Sequence, residues 1–473
     1  MLAQDPFDGY TLFTPLTEGP NLGGGENYTR LIDNNEQIIN QWDHDVCAAT
    51  APYLLKDGSL LCPFKIENPY MVGSAYGGKI IKYGWHGGIL WEYNYSDTNY
   101  IQHHDIEPMD NGNILLISWD RKTYLEALAV GRENLNGEMW PDKVVELHPI
   151  GFDSASVVWE WHLWDHLIQD VDSTLSNFGI VEDHPELLDV NLAQLDHLGS
   201  GDWTHFNSID YNEGLDQIIL SSRNMSEFYI IDHSTTTLQA SGHSGGNSNM
   251  GGDILYRWGN PMNYGRGTEE DKMIVGQHDV NWISQEYSGE GDIILYNNGA
   301  LYGMDMGWQS SVMQISPPII YVDSLETAYE IDDDAFGPNE SSWIYENDFF
   351  SHIQSGARRL SNGNTLVTVA MEMRIFEVTA NDEIVWDYTH IEEGQTTISK
   401  ASKYSLDYLL SGELLFGDIN YDYNLDIFDA ILIVNSILDT CELSLGQSYV
   451  ADLNLDGNIS VDDIILLLGL ILD

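Results

Sequence analysis

The sequence predicts an all-β propeller with a small helical domain at its C-terminus, and three observations lead to this prediction. A polar turn containing glycine, followed by an apolar β-rich run, recurs along residues 1–412. An aromatic strand that carries one charged residue recurs beside it. After Gly412 both patterns stop, and two acidic loops follow, each leading into an apolar stretch of helical character. Repeated strand pairs that are rich in Trp and Tyr favour propeller blades over a sandwich.

The glycine turn is a hairpin signature, because glycine supplies the positive φ that a tight turn requires. Its five copies lie within residues 56–61, 110–116, 213–220, 290–295 and 362–366. The aromatic strands lie at residues 91–93, 159–161, 256–258 and 386–388. Together the two repeats predict five or six blades.

Two stretches interrupt the blade pattern. Residues 159–170 predict a helix, followed by an irregular segment through His197 that could serve as a lid. Residues 301–350 predict a loop insertion between strands, because they contain three consecutive aspartates and Pro338. The change of composition at 413–417 predicts a boundary between a propeller domain at 1–412 and a second domain at 417–473.

The charge balance limits the partners of the chain. Asp and Glu number 75 and Lys and Arg 18, which gives a formal net charge of −57. Nucleic acid and anionic membrane surfaces are therefore poor partners, whereas cations are natural ones. The longest apolar run, residues 464–472, is half of the roughly 18 residues needed to cross a bilayer, so no membrane span is predicted.

The compartment and the cysteines are predicted less directly. Residues 1–4 have the composition of the stub of a removed signal peptide, cut at Ala3, which predicts a secreted, extracellular or periplasmic protein. The three cysteines, at 47, 62 and 441, form no CxxC and no zinc spacing. Cys47 and Cys62 either pair on adjacent strands or are two small buried residues.

The acidic loops have the ligand spacing of twelve-residue calcium sites. In each loop, side-chain oxygens occupy positions 1, 3, 5 and 12, and a backbone carbonyl fills position 7. The predicted Ca²⁺ ligands are Asp418, Asn420, Asp422, Asn424 and Asp429 in the first loop, and Asp452, Asn454, Asp456, Asn458 and Asp463 in the second.

Two features separate these loops from ordinary EF-hands. Position 12 is Asp instead of Glu, and each loop leads directly into one helix, at 430–438 or 464–472, with no helix predicted before it. Residues 417–473 resemble a type I dockerin. The resemblance implies a cohesin-type scaffold protein as partner. Because Tyr423 stands where the second loop has Gly457, we expect weaker binding in the first loop.

Histidines stand beside the strand motifs of three neighbouring blades, within residues 102–105, 202–208 and 276–280. Blade repeats bring equivalent positions round one axis, so we expect these histidines to converge on a single funnel. Arg223 ends the strand that follows His205. An arginine there is suited to clamp a tetrahedral oxyanion.

At these motifs the chain resembles the bacterial aryl-sulfate sulfotransferase family, and the resemblance extends over nearly all of residues 1–412. The stretches that carry it are 9–13, 103–106, 111–113, 202–209, 255–261, 277–279 and 355–366. The resemblance implies a six-bladed propeller. It also implies that a central histidine attacks the sulfur of an aryl sulfate, releases the phenol and passes the sulfuryl group to a phenolic acceptor.

Carried over by motif, the resemblance implies that His278 is the nucleophile. It implies that three residues in or after the segment 202–208 contact the sulfate: His205, Asn207 and Arg223. The remaining histidine falls in the 103–104 pair, and His104 is preferred because Asp105 follows it. Ser355 is the candidate for a family hydroxyl residue from the last blade.

The chemistry agrees with these roles. A sulfate monoester is anionic and resists attack, so its site needs a neutral nucleophile together with cationic groups that offset charge on the oxygens. Asp279 or another acidic neighbour is expected to fix the tautomer of its histidine. No GxxxxGK[ST] loop occurs, so a nucleotide sulfate donor and a cofactor for the transfer are not predicted.

Three alternatives stay open at the level of the sequence. Water could take the sulfuryl group, which would make the protein a propeller sulfatase. The three histidines could instead hold zinc. The propeller could also be a non-catalytic binding domain, docked through its C-terminal module.

Overall fold

The structure, a computed structural model, describes residues 5–16, 27–73, 76–193, 201–300, 309–321, 327–331, 335–406, 408–410, 416–420, 425–438, 440, 443, 445–454 and 458–472. Within these residues six four-stranded antiparallel sheets form the blades of a propeller. The predicted propeller is therefore confirmed, with six blades.

The strands follow the chain through the blades in order. Blade 1 contains β1 (Gly9–Leu16), β2 (Asn27–Ile32) and β3 (Ile38–His44); blade 2 contains β4 (Tyr53–Leu54), β5 (Leu60–Lys65), β6 (Gly78–Tyr83) and β7 (Ile89–Asn94). Blade 3 contains β8 (Tyr100–Pro108), β9 (Ile114–Asp120), β10 (Asp142–Ile150) and β11 (Ser154–His162). The short strands β12 (Leu167–Ile168) and β13 (Leu188–Asp189) then pair in parallel outside the blades.

The second half repeats the arrangement. Blade 4 contains β14 (Phe206–Asn212), β15 (Gln217–Ser222), β16 (Glu227–Asp232) and β17 (Tyr256–Trp258). Blade 5 contains β18 (His278–Trp282), β19 (Ile293–Asn297) and β20 (Ser311–Ile315), then the hairpin β21 (Ile319–Tyr321) and β22 (Thr327–Tyr329), and finally β23 (Trp343–Tyr345). Blade 6 contains β24 (Gly356–Arg359), β25 (Thr365–Val369), β26 (Arg374–Val378) and β27 (Ile384–Thr389), and β28 (Thr397–Ser405) follows.

The ring is closed by the two ends of the propeller chain. β28 pairs antiparallel with β1, from Gly9 opposite Ser405 to Leu16 opposite Thr397, so blade 1 has the order β28-β1-β2-β3. The glycine turns at 56–61, 110–116, 213–220, 290–295 and 362–366 join the first two strands of blades 2 to 6. Blade 1 needs no such turn, because its first strand comes from the other end. Five turns therefore correspond to six blades.

Neighbouring blades are held together by apolar residues. Each pair of adjacent blades shares one buried hydrophobic cluster; Leu115 and Ile218 lie in the cluster between blades 3 and 4, and Phe13 and Leu366 in the cluster between blades 1 and 6. The aromatic motifs belong to the outermost strands, where Trp91 packs between blades 2 and 3. Burial of this surface on both faces of every sheet stabilises the ring.

The helix predicted at 159–170 is wrong. Residues 154–162 form β11, in which Trp159 and Trp161 pair with Glu146 and Val144 of β10, and only a short 3₁₀ turn follows at Leu163–Asp165. The two tryptophans lie on one face of the strand and are buried against blade 4. Side chains two residues apart share a face in a strand but not in a helix, so this burial requires a strand. The loop insertion expected within 301–350 is present in part as the hairpin β21–β22.

Two short helices lie between strands of one blade: α1 (Tyr124–Ala129) joins β9 to β10 in blade 3, and α2 (Thr237–Ala240) lies between β16 and β17 in blade 4. The C-terminal segment contains α3 (Ile427–Ile437), α4 (Leu445–Ala451) and α5 (Val461–Leu472). α4 precedes the second acidic loop, so the expectation of no helix before that loop is wrong. α3, α4 and α5 share their own buried cluster, which includes Ile433, Val450 and Leu467. Among the described helices, none has the length and apolarity to cross a membrane.

Candidate functional site

The first strands of the blades, here called the inner strands, approach one another at their N-terminal ends. The inner strands are β28, β4, β8, β14, β18 and β24. Their ends surround a cavity of about 30 Å³. It is lined by Thr50, His104, Asp105, Asn207, Ser208, His278, Asp279, Gln354, Ser355, Ser399 and Lys400. Segments that are far apart in sequence thus meet at one axial cavity, as the blade repeats predict.

The backbone is bent where the inner strands meet the cavity. His104, His205 and Asp279 have positive φ angles of 49°, 54° and 50°. Each lies at or beside an irregularity in the pairing of its inner strand. A non-glycine residue in this region costs on the order of 1 kcal/mol, which the surrounding sheet has to offset. His278 lies one residue before the bend in blade 5, whereas His104 lies at the bend in blade 3.

His278 is held in one tautomer. Its Nδ1 lies 2.8 Å from Asn298 Oδ1 and 3.1 Å from the Gly276 carbonyl oxygen, and both atoms accept hydrogen bonds. The Asn298 amide is itself oriented, because its Nδ2 donates to the carbonyls of Ser351 and Gln354. Nδ1 therefore carries the proton and Nε2 the lone pair, which accepts from the Gln354 backbone N–H at 3.1 Å.

The His278 ring is also kept neutral. Burial, followed by the charge of Arg223, lowers the pKa of His278 to about 3. An imidazole with this pKa is unprotonated above about pH 4. Asn298 gave no signal in the sequence, because it follows β19, away from the histidine motif, and carries no motif of its own.

The other two histidines contact each other. The rings of His104 and His205 meet edge to face, with centroids 4.5 Å apart. His205 Nδ1 lies 2.5 Å from Asp202 Oδ2, so an acidic neighbour does orient this histidine, as predicted. Burial, followed by the neighbouring histidine rings, holds the pKa of His104 well below its usual range. His103 lies beside His104: its Nδ1 is 2.8 Å from His104 Nδ1, and its Nε2 is 2.7 Å from Asp142.

Arg223 and Asn207 complete the predicted set. The Arg223 backbone N–H donates to the His205 carbonyl at 3.1 Å, and the residue is 2% exposed. Asn207 lines the cavity and donates from Nδ2 to the Gln277 carbonyl at 2.7 Å. Ser355 also lines the cavity, and its Oγ accepts from the Ala370 backbone N–H at 3.0 Å.

A belt of paired charges crosses the axis beside the cavity. Lys400 Nζ lies 2.7 Å from Asp105 and 3.3 Å from Asp279, and Arg358 lies 2.9 Å from Asp279. Burial raises the pKa of Asp279, but Arg358 and Lys400 outweigh it and lower the pKa below its usual value. Asp279 and Asp105 thus contact cations, not the histidines that adjoin them in sequence, and the expected tautomer role of Asp279 toward His278 is wrong. Sequence reasoning missed Lys400, which comes from the closing strand.

A second, larger cavity of about 1080 Å³ lies at the other ends of the inner strands. Glu107, Asp210 and Arg358 are among its lining residues. Burial raises the pKa of Asp210 to about 6, and burial together with the Asp210 charge raises the pKa of Glu107. This end of the axis is acidic.

The predicted calcium loops are partly within the described residues. Asp422, Asn424 and Asp456 lie outside them; Asp418, Asn420, Asp429, Asp452, Asn454, Asn458 and Asp463 lie within them.

The two position-12 carboxylates have the same buried arrangement. Asp429 accepts from the backbone N–H of Asn420 at 3.1 Å, and Asp463 accepts from that of Asn454 at 3.3 Å. Both carboxylates are fully buried. An all-oxygen donor set with a repeated buried carboxylate fits a hard cation such as Ca²⁺.

The fold and the cavity define a β-propeller protein whose axial cavity is lined by the buried imidazoles of His104 and His278 and by Lys400, with the charge of Arg223 nearby. Residues 26–408 match the family model described as Arylsulfotransferase (ASST), and the chain belongs to this family. The protein is therefore a sulfotransferase enzyme, and the family resemblance predicted from the motifs is confirmed.

Curated proteins and solved structures were also compared with the chain. No curated protein matches the sequence. A protein of unknown function from Bacteroides caccae is similar in structure, with a TM-score of 0.43 and 11% identity over 84% of this chain and 98% of its own. The Cps50 (Swd1) β-propeller domain from Myceliophteria thermophila has a TM-score of 0.39 and 10% identity over 84% and 97% of the two chains. The periplasmic gluconolactonase PpgL from Pseudomonas aeruginosa has a TM-score of 0.40 and 9% identity over 84% and 99%.

Proposed function

We propose that the enzyme transfers a sulfuryl group from a phenolic sulfate ester to a phenolic acceptor through a sulfohistidine at His278, without a nucleotide donor. The observation that carries this proposal is the state of the His278 ring. Its Nδ1 proton is fixed by Asn298, its Nε2 carries the lone pair and accepts a hydrogen bond from the Gln354 N–H, and its low pKa keeps the ring neutral. A neutral, oriented imidazole is the nucleophile that an anionic sulfate ester requires.

The first half-reaction breaks the ester. The Nε2 lone pair of His278 attacks the sulfur, the bond between sulfur and the aryl oxygen breaks, and a phenolate leaves with its electron pair. Nδ1 keeps its proton, so the sulfated ring carries positive charge, which the Asn298 and Gly276 oxygens stabilise. The Gln354 N–H, which bonds Nε2 in the free site, has to release it before attack. The second half-reaction is the reverse, with the acceptor phenolate attacking sulfur and the nitrogen–sulfur bond breaking.

The neighbouring residues offset charge on the transferred group. Arg223 supplies a fixed positive charge close enough to lower the pKa of His278. We assign contacts with the sulfuryl oxygens to Arg223, Asn207 and His104. His205, whose Nδ1 contacts the Asp202 carboxylate, is better suited than His104 to protonate the departing phenolate, because burial keeps His104 neutral.

The acceptor decides between a transferase and a sulfatase. We expect release of phenol from a chromogenic aryl sulfate to accelerate when a second phenol is added, with ping-pong kinetics. The measurement is the rate of phenol release together with the ratio of sulfated phenol to inorganic sulfate. Release of inorganic sulfate alone, at every acceptor concentration, would show that water is the acceptor and that the transferase proposal is wrong.

For the C-terminal segment we propose a dockerin-type module that binds Ca²⁺ and docks to a cohesin-type scaffold, and we propose that the protein is exported. Support comes from the repeated ligand spacing and from the matching contacts of Asp429 and Asp463. The ligands present would hold Ca²⁺ through oxygen atoms, and the ion would relieve repulsion among the carboxylates. Cell fractionation of the source organism tests the export.

Chelation tests the calcium proposal on the full chain. Removal of Ca²⁺ with EGTA should make residues 417–473 sensitive to limited proteolysis while sulfuryl transfer continues, because the propeller has separate hydrophobic clusters. Re-addition of Ca²⁺ should restore protection, and Mg²⁺ is the control. Equal protection of residues 417–473 with and without Ca²⁺ would contradict it.

A further inference from the structure

A group of metal-ligating side chains lies outside the axial site, where the segment after blade 3 meets the long connection before β17. His166, His243 and Asp253 each offer one ligand atom, and these atoms all lie within 4.8 Å of one another. His166 and Asp253 are buried, whereas His243 is exposed at the surface. The group is therefore open to solvent on one side.

The hydrogen bonds of His166 present an imbalance. Its Nε2 lies 2.8 Å from the Ala240 carbonyl oxygen, and its Nδ1 lies 2.8 Å from Asp253 Oδ1. Both partners are acceptors, so a neutral imidazole, which carries one N–H, satisfies only one of them. His243 Nδ1 also lies 2.7 Å from the same Asp253 oxygen. If Nε2–H donates to the Ala240 carbonyl, the Nδ1 lone pair faces the Asp253 carboxylate, and a cation between these two atoms would relieve the repulsion.

The surroundings hold His166 in place. Its ring stacks on Trp161 with centroids 5.6 Å apart and planes 6° apart. Trp161 Nε1 donates to the Gly252 carbonyl at 2.7 Å. A Cβ at Gly252 would lie 2.0 Å from the Ala240 oxygen and 2.7 Å from His166 Nε2, so only glycine fits beside the ring. The packing thus preorganises one ligand and its partner.

We propose that His166, His243 and Asp253 form a binding site for a divalent transition-metal ion of the Zn²⁺ class. Ligation through His166 Nδ1 would leave Nε2–H to donate to Ala240, which removes the imbalance and follows the usual pattern for zinc-bound histidine. Two imidazole nitrogens and a carboxylate suit Zn²⁺ at bond lengths of roughly 2.0–2.2 Å, and water would take the fourth position. Asp253 Oδ1 lies 2.8 Å from His166 Nδ1 and 2.7 Å from His243 Nδ1. The three side chains therefore need to move only a small distance apart to admit the ion.

Metal binding would connect two segments that the blades leave on the surface. His243 belongs to the glycine-rich stretch 242–252, whereas His166 follows β11. A shared ion would restrict the motion of the 242–252 stretch and stabilise the folded state by mass action. The site is independent of the proposed sulfuryl transfer.

The test is zinc binding to the full chain, purified without a histidine tag, stripped with chelator and returned to excess Ca²⁺. We expect elemental analysis to find one more Zn²⁺ per chain in the wild-type protein than in His243→Ala. Zn²⁺ should also slow backbone hydrogen exchange in residues 242–252 of the wild type. His243→Ala should weaken Zn²⁺ binding by on the order of 10²-fold or more, because a ligand is lost. This variant should fold, because His243 is exposed.

His184→Ala is the matched control, since His184 is another partly exposed histidine paired with a carboxylate, Glu186. It should bind Zn²⁺ as the wild type does, and so should His278→Ala, which separates this site from the axial histidines. Absence of Zn²⁺ binding in the wild type, or equal binding in wild type and His243→Ala, would overturn the proposal.

Discussion

The two ends of the propeller axis are built from the same inner strands but have opposite chemistry. Moving three residues along four of these strands leads from the small cavity to the large one: His104 to Glu107, Asn207 to Asp210, His278 to Asn281 and Ser355 to Arg358. The first end gathers neutral imidazoles near Arg223. The second gathers carboxylates whose pKa values are raised by burial. An anionic substrate is therefore expected at the histidine end.

The difference between the two ends shows how a strongly acidic protein can bind an anionic substrate. With a net charge of −57, the surface potential opposes a sulfate ester. At the histidine end each nearby carboxylate has a partner: Asp202 contacts His205, and Asp105 and Asp279 contact Lys400. Pairing with Lys400, which also lines the cavity, offsets the negative charge of Asp105 and Asp279. At the acidic end burial outweighs the charge of Arg358, and the pKa of Asp210 stays raised.

Removing the proposed nucleophile at the histidine end should have the largest effect on turnover. His278→Ala is expected to lower kcat by on the order of 10⁴-fold or more, because no other group can replace an oriented imidazole. The control is His148→Ala, on the exposed part of β10. Turnover measured with a chromogenic aryl sulfate checks this. A loss of less than tenfold would show that His278 is not the nucleophile.

Removing a charge-stabilising group at the same end should have a smaller effect. Arg223→Ala and His205→Ala are each expected to slow turnover by roughly 10²–10³-fold, as when one transition-state hydrogen-bond donor is lost. The intermediate should still form, so a burst of phenol should remain visible at high enzyme concentration. Arg223→Lys should recover part of the rate, because it restores charge but not the planar fork. Unchanged kinetics in both alanine variants would contradict an anion site here.

The belt between the two ends can be broken at Lys400. Lys400→Met should lower the free energy of unfolding by about 3–5 kcal/mol, because two buried carboxylates lose a cation. Denaturant titration measures this. The double variant Lys400→Met with Asp105→Asn should regain part of the loss, since one unpaired charge is removed. If Lys400→Met is as stable as the wild type, the ion pairs of Lys400 do not contribute to the stability of the propeller.

The acidic end should show the smallest effect, and it depends on pH. The pKa of Asp210 is raised from 3.8 to about 6, so the folded state binds more protons and loses stability as pH rises through this window. Asp210→Asn should therefore raise the free energy of unfolding by up to about 3 kcal/mol above pH 6, with little gain near pH 3.8. Transfer should change by less than about threefold. A large loss of activity would show that both ends take part in catalysis.

Much of the fold was predictable because its signals are local. The glycine turns and aromatic strands mark hairpins within a few residues of themselves, and the histidine motifs lie beside them. The pairing of β1 with β28 joins residues almost 400 positions apart and leaves no local pattern. The partners of the site were missed for the same reason: Asn298 and Lys400 reach His278 and Asp279 from other strands. The helix predicted at 159–170 failed because packing between blades overrode the local pattern.

The central claim is that His278 carries the sulfuryl group, and trapping the intermediate tests it most directly. The wild-type enzyme is quenched after reaction with donor alone, kept at alkaline pH because a protonated sulfoimidazole is a good leaving group, and digested for mass spectrometry. We predict one added sulfuryl group on the peptide that contains His278, and none in His278→Ala. Added mass on His104, His205 or Ser355, or no covalent adduct while phenol is released, would contradict it.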